Sequence, residues 1–338
     1  MQGKKRILAF VLLSIAAFSF LGASVMGSSS ALSDAQTETE AAARSGVCNL
    51  LLLGRDDAAE LCDVLMLASF DLNSGHLHIV QIPRDTYFAY TTGSYKKINA
   101  APRVLGGADK LGDKLSEALG IQIDGYIEFD LDFVKSAVDM IGGVEISVPC
   151  DMDYDDPAQN LSIHLKKGVQ RLTGEEAVGF VRFRAGYARA DLGRMDAQKL
   201  FLASFAKGFA EHVSVSELPQ VLLLAMKYLK TDVRIDTMLS LAIGMRKLPN
   251  EKIVALTLPG EEVQSEYSGA WYYILSHEGC AEAIGEYLIA SDQAYDGFDK
   301  NGQFTDSKRK SFHDIYQKKI SAVPYTFEGI MSEGISIE

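Results

Sequence analysis

Apolar residues fall along this chain in runs of three kinds, and each kind predicts a different element. The first is one uncharged stretch, ILAFVLLSIAAFSFLGASVMG, from Ile7 to Gly27. A helix of that length crosses a bilayer hydrocarbon core of about 30 Å. Lys4, Lys5 and Arg6 precede it and no charge follows closely. Residues 1–6 are therefore expected in the cytoplasm and 7–27 as a transmembrane anchor, with the rest of the chain outside the cell. A cleaved signal peptide is the competing reading, because small residues between Gly22 and Ser30 offer a cleavage site.

The second kind comprises short runs bounded by polar or turn residues. Asn49 to Leu53, Val64 to Phe70 and His76 to Ile82 read as buried strands, with Asp71 to Gly75 (DLNSG) turning between the last two. The third kind has helical spacing. It appears at Ala108 to Leu119 and at Leu131 to Ile141, the latter stopped by Gly142 and Gly143 and flanked by strands at Gly125 to Phe129 and Val144 to Val148. Farther on, helices are expected near Ala197 to His212, Leu218 to Leu229 and Thr237 to Leu248. A strand at Lys252 to Leu258 follows, then a strand and helix from Trp271 to Ala290. This alternation predicts an α/β layered domain with a central sheet over 47–290. Residues 28–46 are small, polar and mildly acidic, a linker composition. Residues 291–338 turn polar and read as a C-terminal extension with partial disorder.

Composition narrows the chemistry. With 338 residues and 47% hydrophobic content, the chain buries a substantial core. A formal net charge of -12 gives no reason to expect a nucleic-acid partner. Cys48, Cys62, Cys150 and Cys280 have no metal-binding spacing, and one disulfide or unpaired buried thiols both remain open. DGFDKNG near the C-terminus fails as a calcium loop, because Gly297 and Lys308 stand where acids are required. There is no G-x-S-x-G and no phosphate-cradling G-x-x-x-x-G-K-[ST]. His76 and His78, at i and i+2 on a strand, read as half-buried strand histidines.

Carboxylates and arginines remain. LLLGRD ends the first strand at Asp56, and LCDVLML opens the second at Asp63. IPRD puts Arg84 and Asp85 just past the third. In FVRFRAGYARADLGR, Arg182 and Arg184 alternate as on one face of a strand, with Arg189 and Arg194 following. Strand ends of an open α/β sheet converge on a ligand crevice. Two carboxylates with several guanidiniums suit a magnesium-bound pyrophosphate: hard oxygens hold the cation and planar forks clamp phosphate oxygens. Asp191 reads alternatively as a surface partner of Arg189 or Arg194.

These landmarks occur in the order NLLLLGRD, CDVLMLASF, VQIPRDTY, KINAA, GYIEFDLDFVKSAVDMIGGVEISVP, LKKGVQRLTGEEAVGFVRFR and DLGRMDAQ. The chain thereby resembles the LytR-CpsA-Psr family of membrane-anchored cell-wall phosphotransferases, closely over 47–210 and loosely beyond. The resemblance implies a three-layer α/β/α fold with a central mixed sheet and a hydrophobic pocket for a polyprenyl chain. It implies magnesium- or manganese-dependent transfer of a glycopolymer, such as a teichoic acid or capsular polysaccharide, from polyprenyl pyrophosphate to peptidoglycan. Asp56 and Asp63 match the metal-binding aspartates. Arg84, Arg182, Arg184 and Arg194 match the pyrophosphate-gripping arginines, and Gln198 a further polar contact. Asp56 or Asp85 is the candidate acceptor of the attacking hydroxyl's proton.

Two positions depart from the pattern: Leu61 precedes Cys62-Asp63 where an arginine is usual, and Ala197 replaces an arginine before Gln198. Each missing charged contact costs about 1.5–3 kcal/mol. The alternatives are a non-catalytic lipid-pyrophosphate binding protein acting in envelope regulation or assembly, and a lipid-pyrophosphate hydrolase.

Overall fold

Four consecutive leucines, Leu50 to Leu53, are all buried in the computed structural model, and they define its layers. Leu50 and Leu52 face one core cluster, and Leu51 and Leu53 face the other. A strand covered on both sides can be apolar at every position, because its period-2 alternation has no wet face. The structure describes residues 47–288 and 310–337 except 57–60, 72, 91–95, 160, 215–216, 235–236, 239–240, 242–247 and 267, and also Tyr295 and Gly297. The anchor and linker expected over 7–46, most of the helix expected over 237–248 and most of DGFDKNG lie outside the described residues. Among the described residues, no helix is long and apolar enough to cross a membrane.

In chain order, β1 (Val47–Asp56), β2 (Leu61–Asp71) and β3 (His76–Gln81) form a meander. Its second turn is closed by Asp71, whose carboxylate accepts from the backbone N–H groups of Asn73 and Ser74. Then come α1 (Ala101–Leu105), α2 (Ala108–Leu119), β4 (Gly125–Phe129) and α3 (Leu131–Met140), the last capped by Asp130. β5 (Val144–Val148), β6 (Met152–Asp156), β7 (Leu161–Leu165) and β8 (Gly168–Leu172) build two small antiparallel pairs, β5 with β8 and β6 with β7. α4 (Gly174–Arg182), α5 (Ala190–His212) and α6 (Leu218–Tyr228) follow, and then β9 (Lys230–Thr231) and β10 (Ile253–Thr257). The hairpin of β11 (Gly260–Gln264) and β12 (Trp271–Leu275) leads to α7 (His277–Tyr287). α8 (Lys310–Gln317), β13 (Tyr325–Thr326) and α9 (Phe327–Glu333) end the described chain.

The central sheet has seven strands in the order β13-β10-β3-β2-β1-β4-β9. It is mixed: β1 runs parallel to β4 and β3 to β10, and the other pairs are antiparallel. α3, α5 and α9 cover one face, and α2 and α7 cover the other, a three-layer arrangement. The β1–β2 register breaks at Gly54/Arg55. A Cβ on Gly54 would stand 2.9 Å from that of Val64, so glycine permits the close approach there.

Two expectations are corrected. FVRFR is not a strand: Phe180 to Arg182 end α4, and Phe183 leaves it with extended backbone. The helix is started by a capping box, in which Thr173 accepts from Glu176 N–H and the Glu176 carboxylate returns to the Thr173 backbone. Five alternating residues carry less weight than that nucleus and the burial of Ala177 and Phe180. The region expected as a polar extension, 291–338, also contributes to the fold. β13 is an edge strand of the central sheet, and Phe327 and Ile330 of α9 are 2% exposed in the core cluster that also contains α5. Phe327→Ala is expected to lower unfolding free energy by about 3–5 kcal/mol. Urea titration followed by circular dichroism checks this, and a change below about 1 kcal/mol would show α9 to be dispensable.

Candidate active site

The charged residues marked by the sequence reach one place from opposite layers. Asp63 comes from β2, and Arg84 from the turn after β3; Arg84 Nη1 donates to Asp63 Oδ1 at 2.6 Å. Arg84 Nε lies 3.5 Å from Asp191 Oδ1, and Arg194 Nη2 lies 2.7 Å from the same oxygen. Asp191 thus stands between two guanidiniums, and the Arg194 side chain is only 7% exposed. Burial opposes the charge on Arg84, but Asp191 and Asp63 outweigh it and raise its pKa. Burial lowers that of Arg194, helped by the repelling Arg84 and offset in part by Asp191. Both stay protonated, since guanidinium does not titrate in proteins near neutrality.

Local backbone makes this possible. Ala190 has a left-handed φ of 40°, which turns the chain sharply into α5 and puts Asp191 in its first turn. Gly193 lets the preceding loop lie against the helix, because a Cβ there would be 2.6 Å from that of Tyr187. Deeper in α5, Lys199 is 1% exposed and binds Asp196 Oδ1 and the Thr257 hydroxyl of β10, both at 2.8 Å. Burial lowers its pKa, opposed by Asp196. Arg189 pairs with Asp196 rather than Asp191. This buried network fixes the helix to the sheet.

Two kinds of cavity meet at these residues. An apolar space of about 710 Å³ is lined by residues including Leu52, Ile79, Phe129, Phe133, Phe205 and Leu229. It adjoins a second space of about 710 Å³, sharing Met66, Phe129, Val134, Phe201 and Leu202, whose rim is Asp63, Arg182, Arg194 and Gln198. Asp63, Arg182 and Arg194 also line a polar cavity of about 630 Å³, together with Arg84 and Arg184. Four guanidiniums there face Asp63 and Asp191, leaving the site locally cationic in an acidic protein. Arg182 and Arg184 make no ion pair among the described residues. Arg182 Nη2 donates to Gln159 Oε1 at 3.0 Å.

Arg84, Arg182, Arg184, Arg194, Asp63 and Gln198 are therefore brought together; Gln198 Nε2 donates to the Val181 carbonyl at 3.3 Å. Asp56 ends β1 with its backbone opposite Leu61, and its side chain lies outside the described residues. Asp85 lines neither cavity and pairs with Lys97 at 2.9 Å. Ala197 is wholly buried in the core rather than on a cavity wall. Arg55 lines the channel mouth beside Glu128, at 3.2 Å. Nothing in LLLGRD distinguishes it, and only the pairing of β1 with β2 reveals its place. His76 and His78 bond locally, to Ser74 and to the Tyr287 carbonyl, as strand histidines do. All four cysteines are free thiols.

Residues 19–286 match the LytR_cpsA_psr family. The polyisoprenyl-teichoic acid–peptidoglycan teichoic acid transferase TagV of Bacillus subtilis (strain 168) is 30% identical over 234 residues, 67% of this chain and 60% of TagV. The match therefore spans less than two thirds of that relative's length. TagU of Bacillus mycoides (strain KBAB4), with the same activity in its name, is 30% identical over 241 residues, 70% of this chain and 76% of TagU. The crystal structure of B. subtilis TagV aligns with a TM-score of 0.61 at 27% identity, covering 73% of this chain and 99% of that one.

Asp191→Ala would leave Arg84 and Arg194 facing each other without their shared carboxylate. A loss of about 3–5 kcal/mol in unfolding free energy is expected, read by urea titration. Near the site, burial first and then the Glu128 charge push the Cys62 thiol from 9.0 up to about 12. The folded state thus holds this proton more tightly than the unfolded state. Its contribution to stability is complete below pH 9.0 and is lost as pH rises to about 12. Cys62→Ala should flatten the fall of stability across that interval, and an unchanged slope would contradict the assignment.

Proposed function

The chain belongs to the LytR-CpsA-Psr family, and from that premise we propose that it transfers a glycopolymer from a polyprenyl-pyrophosphate carrier to peptidoglycan through a phosphodiester. The observation that carries the reading is the junction of an apolar channel and a polar, cationic cavity at Asp63, Arg182 and Arg194. A ligand with a lipid at one end, a sugar at the other and a pyrophosphate between them needs that sequence of surfaces. The names of the TagV and TagU relatives support the same donor and acceptor classes.

In this reading the lipid lies between the sheet and α3 and α5, among Phe129, Phe133, Phe201 and Phe205. Burial of its methylenes contributes about 0.8 kcal/mol each. Arg182, Arg184 and Arg194 grip the phosphate oxygens, and Arg84 stays aligned with them through Asp63 and Asp191. These guanidiniums stabilise charge that grows on the departing lipid phosphate as a peptidoglycan hydroxyl attacks the phosphorus beside the sugar. Position and electrostatics supply the catalysis, because the chain contributes no covalent nucleophile in this scheme. Asp56 is the remaining candidate to accept the hydroxyl proton, since Asp85 is held by Lys97 away from the cavities.

The residues also fit a magnesium or manganese ion. Such ions take one or two carboxylates with phosphate oxygens and water. Arg84 engages only Oδ1 of Asp63, and Asp56 ends the adjacent strand. Among the described residues no three candidate ligands gather, so the ion would be shared with the phosphates. When bound, it supplies neutralisation of the leaving phosphate. The anchor proposed for 7–27 would keep this domain at the outer membrane face, where the carrier lipid resides.

A second reading, a binding protein without turnover, draws on Leu61 and Ala197. In a membrane assay with a polyprenyl-pyrophosphate-linked glycan and peptidoglycan, Arg182→Ala and Asp63→Ala are each expected to reduce transfer at least about tenfold, the effect of losing 1.5 kcal/mol or more of charged contact. Their melting curves should match wild type. Full activity in both would overturn the proposal, and retention of the carrier without product would select the binding protein. Chelation with EDTA should stop transfer, and added Mg2+ or Mn2+ should restore it.

A further inference from the structure

The hairpin of β6 and β7 overhangs the polar cavity without belonging to the arginine clamp. Its pleat separates two faces. Asp153, Asp155 and His164 lie outward, with His164 Nδ1 2.6 Å from Asp153 and Nε2 3.5 Å from Asp155. Met152, Tyr154, Leu161, Ile163 and Leu165 lie inward by register. Ile163 packs against Gly179 of α4, which directs its cross-strand partner Tyr154 and nearby Leu161 to the cavity wall. Tyr154 keeps 36% exposure, the lower limit of a solvent-facing residue, although its strand neighbours on that face are buried. At the hairpin tip, Gln159 Nε2 donates to Asp156 Oδ2 at 2.6 Å while its Oε1 accepts from Arg182 at 3.0 Å. The tip is thereby tied to the clamp.

We infer that Tyr154, Leu161 and Gln159, with the unpaired Arg184, form a carbohydrate subsite for the sugar attached directly to the pyrophosphate. This inference rests on the proposed function. A pyranose has an apolar C–H face and a rim of hydroxyls. The Tyr154 ring and Leu161 match the first, and the Gln159 amide and the Arg184 guanidinium match the second. Because Asp63, Arg182 and Arg194 border both channel and polar cavity, a pyrophosphate held there with its lipid in the channel projects its other substituent beneath the hairpin. The subsite selects among donors by their first sugar. The clamp itself reads only phosphate.

The test uses the full-length chain in detergent micelles and two probes, polyprenyl pyrophosphate and the same lipid bearing one N-acetylhexosamine on its pyrophosphate. Wild type is expected to bind the sugar-bearing probe about tenfold more tightly, equivalent to about 1.4 kcal/mol. Tyr154→Ala should erase that difference while binding the sugar-free probe within about twofold of wild type, and Tyr154→Phe should retain it. If wild type binds both probes equally, or if Tyr154→Ala keeps the difference, the subsite is refuted while the proposed function stands. If neither probe binds wild type, the proposed function fails and the subsite with it. A soluble peptidoglycan disaccharide, added with the sugar-free carrier, distinguishes the acceptor: Tyr154-dependent binding of that fragment would assign the hairpin to the acceptor and overturn the inference.

Discussion

Asp191 Oδ1 lies between Arg84 and Arg194, and much of the site depends on that contact. Two guanidiniums in a dry setting repel, and each bears a desolvation cost of several kcal/mol; one shared carboxylate offsets both. The oxygen can be shared only if the sheet delivers Arg84 and the first turn of α5 delivers Asp191 and Arg194 to the same spot. The left-handed Ala190 and the close approach at Gly193 aim that turn. The Asp196–Lys199–Thr257 contacts then hold α5 against β10, so the clamp is assembled by the docking of one helix on one sheet.

The same docking leaves space in the core. Aromatic side chains from β4, α3 and α5 border the apolar channel instead of closing it, although the rest of the two core clusters is densely buried. An apolar opening of this size inside a small domain is a place for an apolar ligand. Its mouth is rimmed by charges that a lipid tail alone would not require. The union of greasy and cationic surfaces explains the family's membrane-lipid chemistry more directly than either surface would separately.

The two departures from the family pattern acquire a spatial meaning. Ala197 is on the buried side of α5, away from both cavities, so no cavity wall loses a charge there. Leu61 is paired with the end of β1, and one strand away Arg55 brings a guanidinium to the channel mouth, steadied by Glu128. The cationic character of the site is therefore distributed differently along the chain than the motif alone suggests.

Strands β1 to β5 and helices α2 and α3 were legible because each has a strong local signal: unbroken leucines, alternation, the Asp71 turn, or an Asp130 cap and paired glycines. The site's acids and arginines were legible as types clustered at strand ends. FVRFR misled because five residues satisfy a two-residue period by chance, whereas the Thr173–Glu176 capping box that decides the matter lies seven residues earlier. The polar tail concealed β13 and α9, since Phe327 and Ile330 are too few to announce a core role without the surface they fill. Composition and order thus determined the α/β class, the family and the inventory of charges. Only the tertiary structure decided that Asp191 serves Arg84 and Arg194, that Asp85 turns to Lys97, and that Arg55 and Tyr154 border the cavities. Those outcomes depend on contacts between residues far apart in sequence, and local periodicity carries no information about such distances.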